Sequence, residues 1–168
     1  MITVEMLKER LDYNSETGVF IWKPIPTNKA WTVKYAGKIA GSKTNMGYGQ
    51  ISFTINKKQY HIKLHTVAWA LYYNEFPSMN IDHINGIKLD NRICNLRLAT
   101  VAENSQNIFK AKSTNKLGLL GAHKIGKRFF STIMLNGIST HLGYFNTALE
   151  AHNAYIVAKR DMHPFNQL

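Results

Sequence analysis

The chain of 168 residues contains a single cysteine, Cys94. A disulfide framework is therefore excluded, as is every zinc site built on cysteine pairs, so any metal must be held by His, Asp, Glu or Asn. Cys94, flanked by Ile93 and Asn95, is expected to be a buried apolar residue. Acidic side chains are also scarce: 10 Asp+Glu against 21 Lys+Arg leave a formal net charge of +11 and a pI of about 9.8. That imbalance points to polyanionic partners, nucleic acid first. No apolar run approaches the ~18 residues a membrane span requires, and Met1-Ile2-Thr3-Val4-Glu5 lacks the basic-then-apolar pattern of a secretory signal; a cytoplasmic protein with no membrane partner is expected. Repeats and low-complexity tracts are missing. What is present in quantity is apolar surface, 45% hydrophobic and 11% aromatic residues. This suffices for a packed core, excludes disorder as the main state, and at this length allows one domain or two to three small ones.

Val4, Leu7 and Leu11 recur at helical spacing after Thr3, which predicts a short first helix. Asn14-Ser15-Glu16-Thr17-Gly18 then turns the chain into the apolar run Val19-Phe20-Ile21-Trp22, which Pro24 and Pro26 end. Ile51, Phe53 and Ile55 alternate with polar residues, and after Asn56-Lys57-Lys58-Gln59 the alternation resumes at Tyr60, Ile62 and Leu64, the pattern of a hairpin. Leu64, Val67, Ala68 and Leu71 mark the buried stripe of a helix ending near Pro77. From Ile81 to Asn107 the pattern reads strand, loop, short strand, helix. Asn85-Gly86 is a two-residue reversal signal, since both residues tolerate positive φ, and Thr100-Val101-Ala102-Glu103 is a capping box at a helix start.

Charge is unevenly distributed. Residues 1–104 carry 13 basic and 8 acidic side chains, whereas 105–168 carry 8 and 2. Residues 105–118, rich in Ser, Asn, Thr and Lys, read as a linker able to lie along a phosphate backbone. Beyond it come three short strands near 119–123, 129–135 and 138–142, with an Asn136-Gly137 turn between the last two. A second capping box, Thr147-Ala148-Leu149-Glu150, opens a helix whose Ala148, Ala151, Ala154, Tyr155 and Ala158 form a small-residue face, with Pro164 just past its end.

The residues that carry chemistry are Asp82-His83, Asn95 and Asn104. An isolated set of this spacing would more often be chance, but the turn signal and the capping box around it lend it weight. Together with Asp82-His83-Ile84-Asn85-Gly86, Asp90-Asn91-Arg92, Asn95-Leu96-Arg97, Glu103-Asn104, the upstream His65 and the entry from Leu11 to Trp22, it resembles the phage-type HNH homing endonucleases. The resemblance implies a ββα-metal module, with Asp82 and the Asn104 carboxamide as hard oxygen ligands for Mg²⁺ (or Mn²⁺). It implies that His83, an imidazole with an ordinary pKa of about 6.5, is the general base, and that Asn95, the middle member of the catalytic signature, holds the loop carrying His83. Arg92 and Arg97 are expected at flanking phosphates. His65 reads either as a second residue near the site or phosphate, or as a partly buried helix histidine. His61, His123, His152 and His163 are read as solvated or packing residues. The implied setting is a phage-infected bacterial cell.

Gly121-Ala122-His123-Lys124, Gly126-Lys127-Arg128-Phe129-Phe130, Asn136-Gly137 and His141-Leu142-Gly143-Tyr144-Phe145, with the helix after them, resemble the plant ethylene-response-factor DNA-binding domain. That resemblance implies a three-stranded sheet applied to DNA. Phe130, Thr132, Met134, Ser139 and His141 would face the duplex, with Lys124, Lys127 and Arg128 at the rim and Phe129, Ser131, Ile133 and Leu142 packed on the helix. Lys110, Lys112 and Lys116 of the linker complete the expected nucleic-acid-binding set.

The combined reading is an α+β chain in four segments. Residues 1–62 are a β-rich DNA-contacting segment, 63–108 the ββα-metal nuclease module, 109–118 a basic linker, and 119–168 the sheet-and-helix DNA-binding unit. The expected function is metal-dependent hydrolysis of a double-stranded DNA phosphodiester, one strand per active site, with no protein partner implied. The competing reading is a non-catalytic sequence-specific DNA-binding regulator. An RNA-directed protein is disfavoured by the missing ribonucleoprotein aromatic motifs.

Overall fold

The computed structural model describes residues 2–55 and 57–166, and these divide into two compact units, 1–98 and 99–168.

In the first unit, helix α1 (Val4–Lys8) starts at Thr3, whose hydroxyl accepts from the Met6 amide. It leads into an antiparallel hairpin of β1 (Leu11–Asn14) and β2 (Val19–Trp22), in register Leu11↔Trp22 to Asn14↔Val19. Helix α2 (Lys29–Tyr35) follows, capped by the Asn28 side chain. None of its residues is buried, and Trp31 packs edge-on against Trp22 at 5.2 Å. The segment expected to be β-rich thus also carries two helices.

Strands β3 (Ser42–Lys43), β4 (Gly49–Ile55) and β5 (Lys58–Lys63) form an antiparallel sheet in the order β3-β4-β5. The β4–β5 connection is tighter than the sequence suggests, since Ile55 pairs with Lys58. Asn56 of that predicted turn lies outside the described residues. Helix α3 (Leu64–Tyr73) ends at Asn74, which adopts a left-handed conformation. Leu7, Leu11, Phe20, Ile51, Val67 and Ala68 are all nearly inaccessible and make one core of α1, the hairpin, the sheet and α3.

Strand β6 (Asn80–His83) pairs with β7 (Leu96–Ala99). Asn85-Gly86 does not make the expected two-residue hairpin. A twelve-residue loop, 84–95, separates the strands, only Gly86 of the pair has a positive φ (69°), and the turn closes from the His83 carbonyl to the Gly86 amide at 2.8 Å. A single turn of 3₁₀ helix, Ile93–Asn95, ends the loop. It turns Asn95 inward and leaves Cys94 exposed, which corrects the expectation of a buried thiol.

In the second unit, α4 (Val101–Gln106) opens on its capping box: the Thr100 hydroxyl accepts from the Glu103 amide, and the Glu103 carboxylate accepts from the Thr100 amide. Strands β8 (Ala122–Ile125), β9 (Arg128–Leu135) and β10 (Ile138–Phe145) form an antiparallel sheet in the order β10-β9-β8. Asn136 and Gly137 have φ of 50° and 81°, the pair of positive values a two-residue reversal requires. Helix α5 (Ala148–Met162) covers one face of this sheet, burying Ala151, Ser131 and Ile133. Gly121 permits the closest approach, because a Cβ there would lie 2.0 Å from Cγ of Tyr155.

Residues 109–118 are not loose. The Asn115 side-chain amide donates to the carbonyls of Leu119 (2.9 Å) and Ala122 (3.3 Å), and the Lys159 ammonium, on a residue only 1% exposed, donates to the Ile108 carbonyl. Among the described residues, no helix is long and apolar enough to cross a membrane.

Candidate active site and nucleic-acid interface

Strand β6 delivers Asp82 and His83 side by side, and both are buried (6% and 4% exposed). Burying a carboxylate requires a partner, and Arg97 of β7 supplies it. Its Nε and Nη2 both donate to Oδ2 of Asp82, at 3.0 and 2.8 Å. In this structure the guanidinium therefore lies on a carboxylate. Arg92 is similarly engaged, donating to both oxygens of Asp90 at 2.8 and 2.6 Å. These contacts hold the Asp90 carboxyl down at about 2.

The loop that carries this chemistry is tied together by amides. Asn95 Oδ1 accepts from the Asn85 amide at 2.9 Å, and its Nδ2 donates to the Asp90 carbonyl at 2.8 Å. Asn85 Nδ2 donates to Asp90 Oδ2 at 2.7 Å. Asn95 therefore spans the loop from end to end.

His83 Nε2 lies 3.4 Å from Oδ1 of Asn91, whose own Nδ2 donates to the Leu89 carbonyl at 3.2 Å. With the amide so oriented, its oxygen faces the ring and accepts from it in the tautomer that carries the proton on Nε2. Asn91 is in turn held by the first hairpin: the Tyr13 hydroxyl donates to the Asn91 carbonyl at 2.7 Å, and the Ile93 amide donates to the Ser15 carbonyl. Gly18 packs so close that a Cβ would meet the Arg92 nitrogen at 2.7 Å. Tyr13 and Asn91 both lie in stretches that carry the sequence resemblance, but their pairing is a contact across 78 residues that no local pattern shows.

His65 is buried in α3 with its ring 5.1 Å from that of His83, edge to face. The Tyr48 ring lies against both, at 5.5 and 6.2 Å. Lys63 and Lys88 place their ammonium groups 4.8 and 4.5 Å from the Tyr48 ring centre. Burial, and then the neighbouring imidazole, push His65 down to about 3. Burial likewise lowers His83, against the opposing pull of Asn91 and Asp82.

Asn104 is exposed on α4, in the second unit. The oxygen donors that the sequence singles out are thus one carboxylate and one carboxamide, and no group of three His, Cys, Asp or Glu that could hold a metal occurs among the described residues. Carboxylate and carboxamide oxygens are hard donors of the kind a hard divalent cation takes.

On the second unit, the sheet face opposite α5 carries a cluster of rings. His123 stacks on Phe130 at 5.0 Å, and His141 and Tyr144 lie 6.1 and 6.3 Å from Phe130. A bulge between His141 and Gly143 shifts the strand register, so that Tyr144 pairs with Phe130. The Arg128 guanidinium lies 5.8 Å from the Tyr144 ring. Strict alternation along the sequence leaves Tyr144 out of this face. Thr132, Met134 and Ser139 line a groove of about 880 Å³ together with Lys110, Lys112, Lys116 and Lys124. Lys127 belongs to the β8–β9 turn and is exposed.

Residues 63–106 match the HNH endonuclease family. An uncharacterized HNH endonuclease of Acanthamoeba polyphaga mimivirus is 32% identical over 134 residues, which is 79% of this chain and 62% of that protein, so the chain spans about three fifths of its relative. Among solved structures, one describing DNA binding and cleavage by the HNH homing endonuclease I-HmuI is 18% identical, with 83% of this chain and 75% of that one covered and a TM-score of 0.46.

Proposed function

We propose that this chain is a divalent-metal-dependent endonuclease acting on double-stranded DNA, with its chemistry in the module at 63–106. The observation that carries the reading is the pair formed by Asp82 and a buried His83 whose Nε2 faces Asn91 and whose pKa burial lowers. Nδ1 of His83 takes a proton from water as the water oxygen attacks phosphorus and the bond from phosphorus to the 3′ oxygen breaks. Asp82 and Asn104 would hold a Mg²⁺ or Mn²⁺ ion, which supplies stabilisation of the charge on the phosphate and departing oxygen. Asn95 keeps the loop from spreading. Lys63 and Lys88, above Tyr48, add positive charge for the incoming backbone. The second unit offers Arg128, the lysine-lined groove and the rings around Phe130 as its DNA-binding surface. One such site cuts one strand, so a monomer nicks and a double-strand break requires two engagements. The cytoplasm of an infected cell is the proposed setting.

His83→Ala is expected to abolish Mg²⁺-dependent nicking of plasmid while leaving DNA affinity within about twofold by gel shift, a loss of general-base catalysis worth roughly 10²-fold or more. A DNA-binding regulator would show no nicking in the unmodified chain, and that result would end the proposal.

A further inference from the structure

We propose that Arg97 determines which divalent ion Asp82 accepts; this rests on the metal site proposed above. Two guanidinium nitrogens, Nε and Nη2, converge on the same carboxylate oxygen, Oδ2. Asp82 is 7% and Arg97 21% exposed at their side chains, so the pair is sheltered enough for the contact to persist. β6 and β7 are paired strands, which fixes the two side chains at neighbouring positions of one small sheet.

A carboxylate oxygen occupied by a two-pronged donor is a poor ligand, and it leaves its carboxylate ill-suited to grip a cation with both oxygens. That restriction separates ions by size. Ca²⁺ takes 6–8 oxygens at longer range and gains from bidentate carboxylates. Mg²⁺ and Mn²⁺ take six in a tight octahedron, are served by a single carboxylate oxygen, and complete the shell with water and phosphate. Arg97 therefore excludes the two-oxygen grip that would favour the larger ion. It acts through Asp82 as a positioning residue, not as a phosphate contact.

The charge of Arg97 repels every divalent ion alike, so the ratio of two affinities isolates geometry from Coulomb repulsion. The test uses the full chain carrying His83→Ala, bound to a short duplex so that no cleavage intervenes. Mn²⁺ binding is read by electron paramagnetic resonance of the free ion, and Ca²⁺ by competition against it. Arg97→Gln should shift the Ca²⁺-to-Mn²⁺ affinity ratio toward Ca²⁺ by about tenfold. Arg97→Lys preserves the charge but not the fork; it should shift the ratio in the same direction by a smaller factor, and it serves as the measurement if the Gln variant fails to fold. An unchanged ratio in a folded variant overturns the inference. So does a drop in duplex affinity with the ratio intact, which would make Arg97 a backbone contact. Asp82→Asn in the same titration separates the two levels. If Mn²⁺ binding does not depend on Asp82, the metal site itself is wrong; if it does and the ratio ignores Arg97, only the present inference fails.

Discussion

His83 and His65 lie ring to ring, and the same burial acts on both, with different consequences. For His83, the proposed base, the lowered pKa favours the neutral imidazole at physiological pH, so the acid limb of the kcat/KM profile should fall below the ordinary 6.5, with a plateau through neutrality. A pH–rate series with plasmid substrate checks this, and a limb above 6.5 contradicts it. For His65 the effect is on stability. The unfolded chain binds a proton below about 6.5, whereas the folded chain resists until about 3. Protonation therefore favours unfolding across that window, and stability rises with pH from about 3 to 6.5 and then levels off. Thermal melts between pH 4 and 8 should follow this course, and His65→Gln should flatten it. Tyr13 and Gly18 are the other residues to test. Tyr13→Phe removes the hydrogen bond that steadies the Asn91 carbonyl, at a cost of about 1 kcal/mol in stability by denaturant titration. Gly18→Ala meets backbone at 2.7 Å in a left-handed conformation (φ 71°) and should cost more, with nicking reduced because Asn91 is the neighbour displaced.

At the scale of elements, what matters is which side chains each strand or helix start holds still. The loop between β6 and β7 has little regular structure, and the side chains of Asn85, Asp90, Asn91, Arg92 and Asn95 tie it together. Asn95→Ala would remove the side-chain bonds that the Asn85 amide and the Asp90 carbonyl make to it. Helix α4 is six residues long and depends on its capping box, so Thr100→Ala should lower stability by about 1 kcal/mol, read from thermal unfolding of the full chain. Both capping boxes are legible in the sequence because a cap is a local hydrogen-bond pattern of four residues. The β10 bulge is not, since it is a mismatch between two strands, and it is what brings Tyr144 opposite Phe130. Helix α2 is equally hard to read, since none of its residues is buried and its Trp31 packs on Trp22. If the ring face meets DNA, Phe130→Ala should weaken duplex affinity by several-fold in a binding titration.

For the whole molecule, a net charge of +11 would make the proposed association with DNA strongly dependent on salt. Removal of residues 109–168 should weaken binding and reduce the slope of log K against log salt by about 0.9 for every phosphate that is no longer neutralised. An unchanged slope would mean that this part of the chain neutralises none. The sequence by itself determined the chemistry available: one carboxylate, one imidazole and two carboxamides at a spacing shared with known nucleases, a charge surplus, and the turn and cap signals that follow from local backbone preference. Only tertiary structure decided how those groups are engaged, because partners such as Tyr13 with Asn91, His65 with His83 and Arg97 with Asp82 are distant along the chain. Spacing says which donors exist; packing alone decides which oxygen a guanidinium occupies.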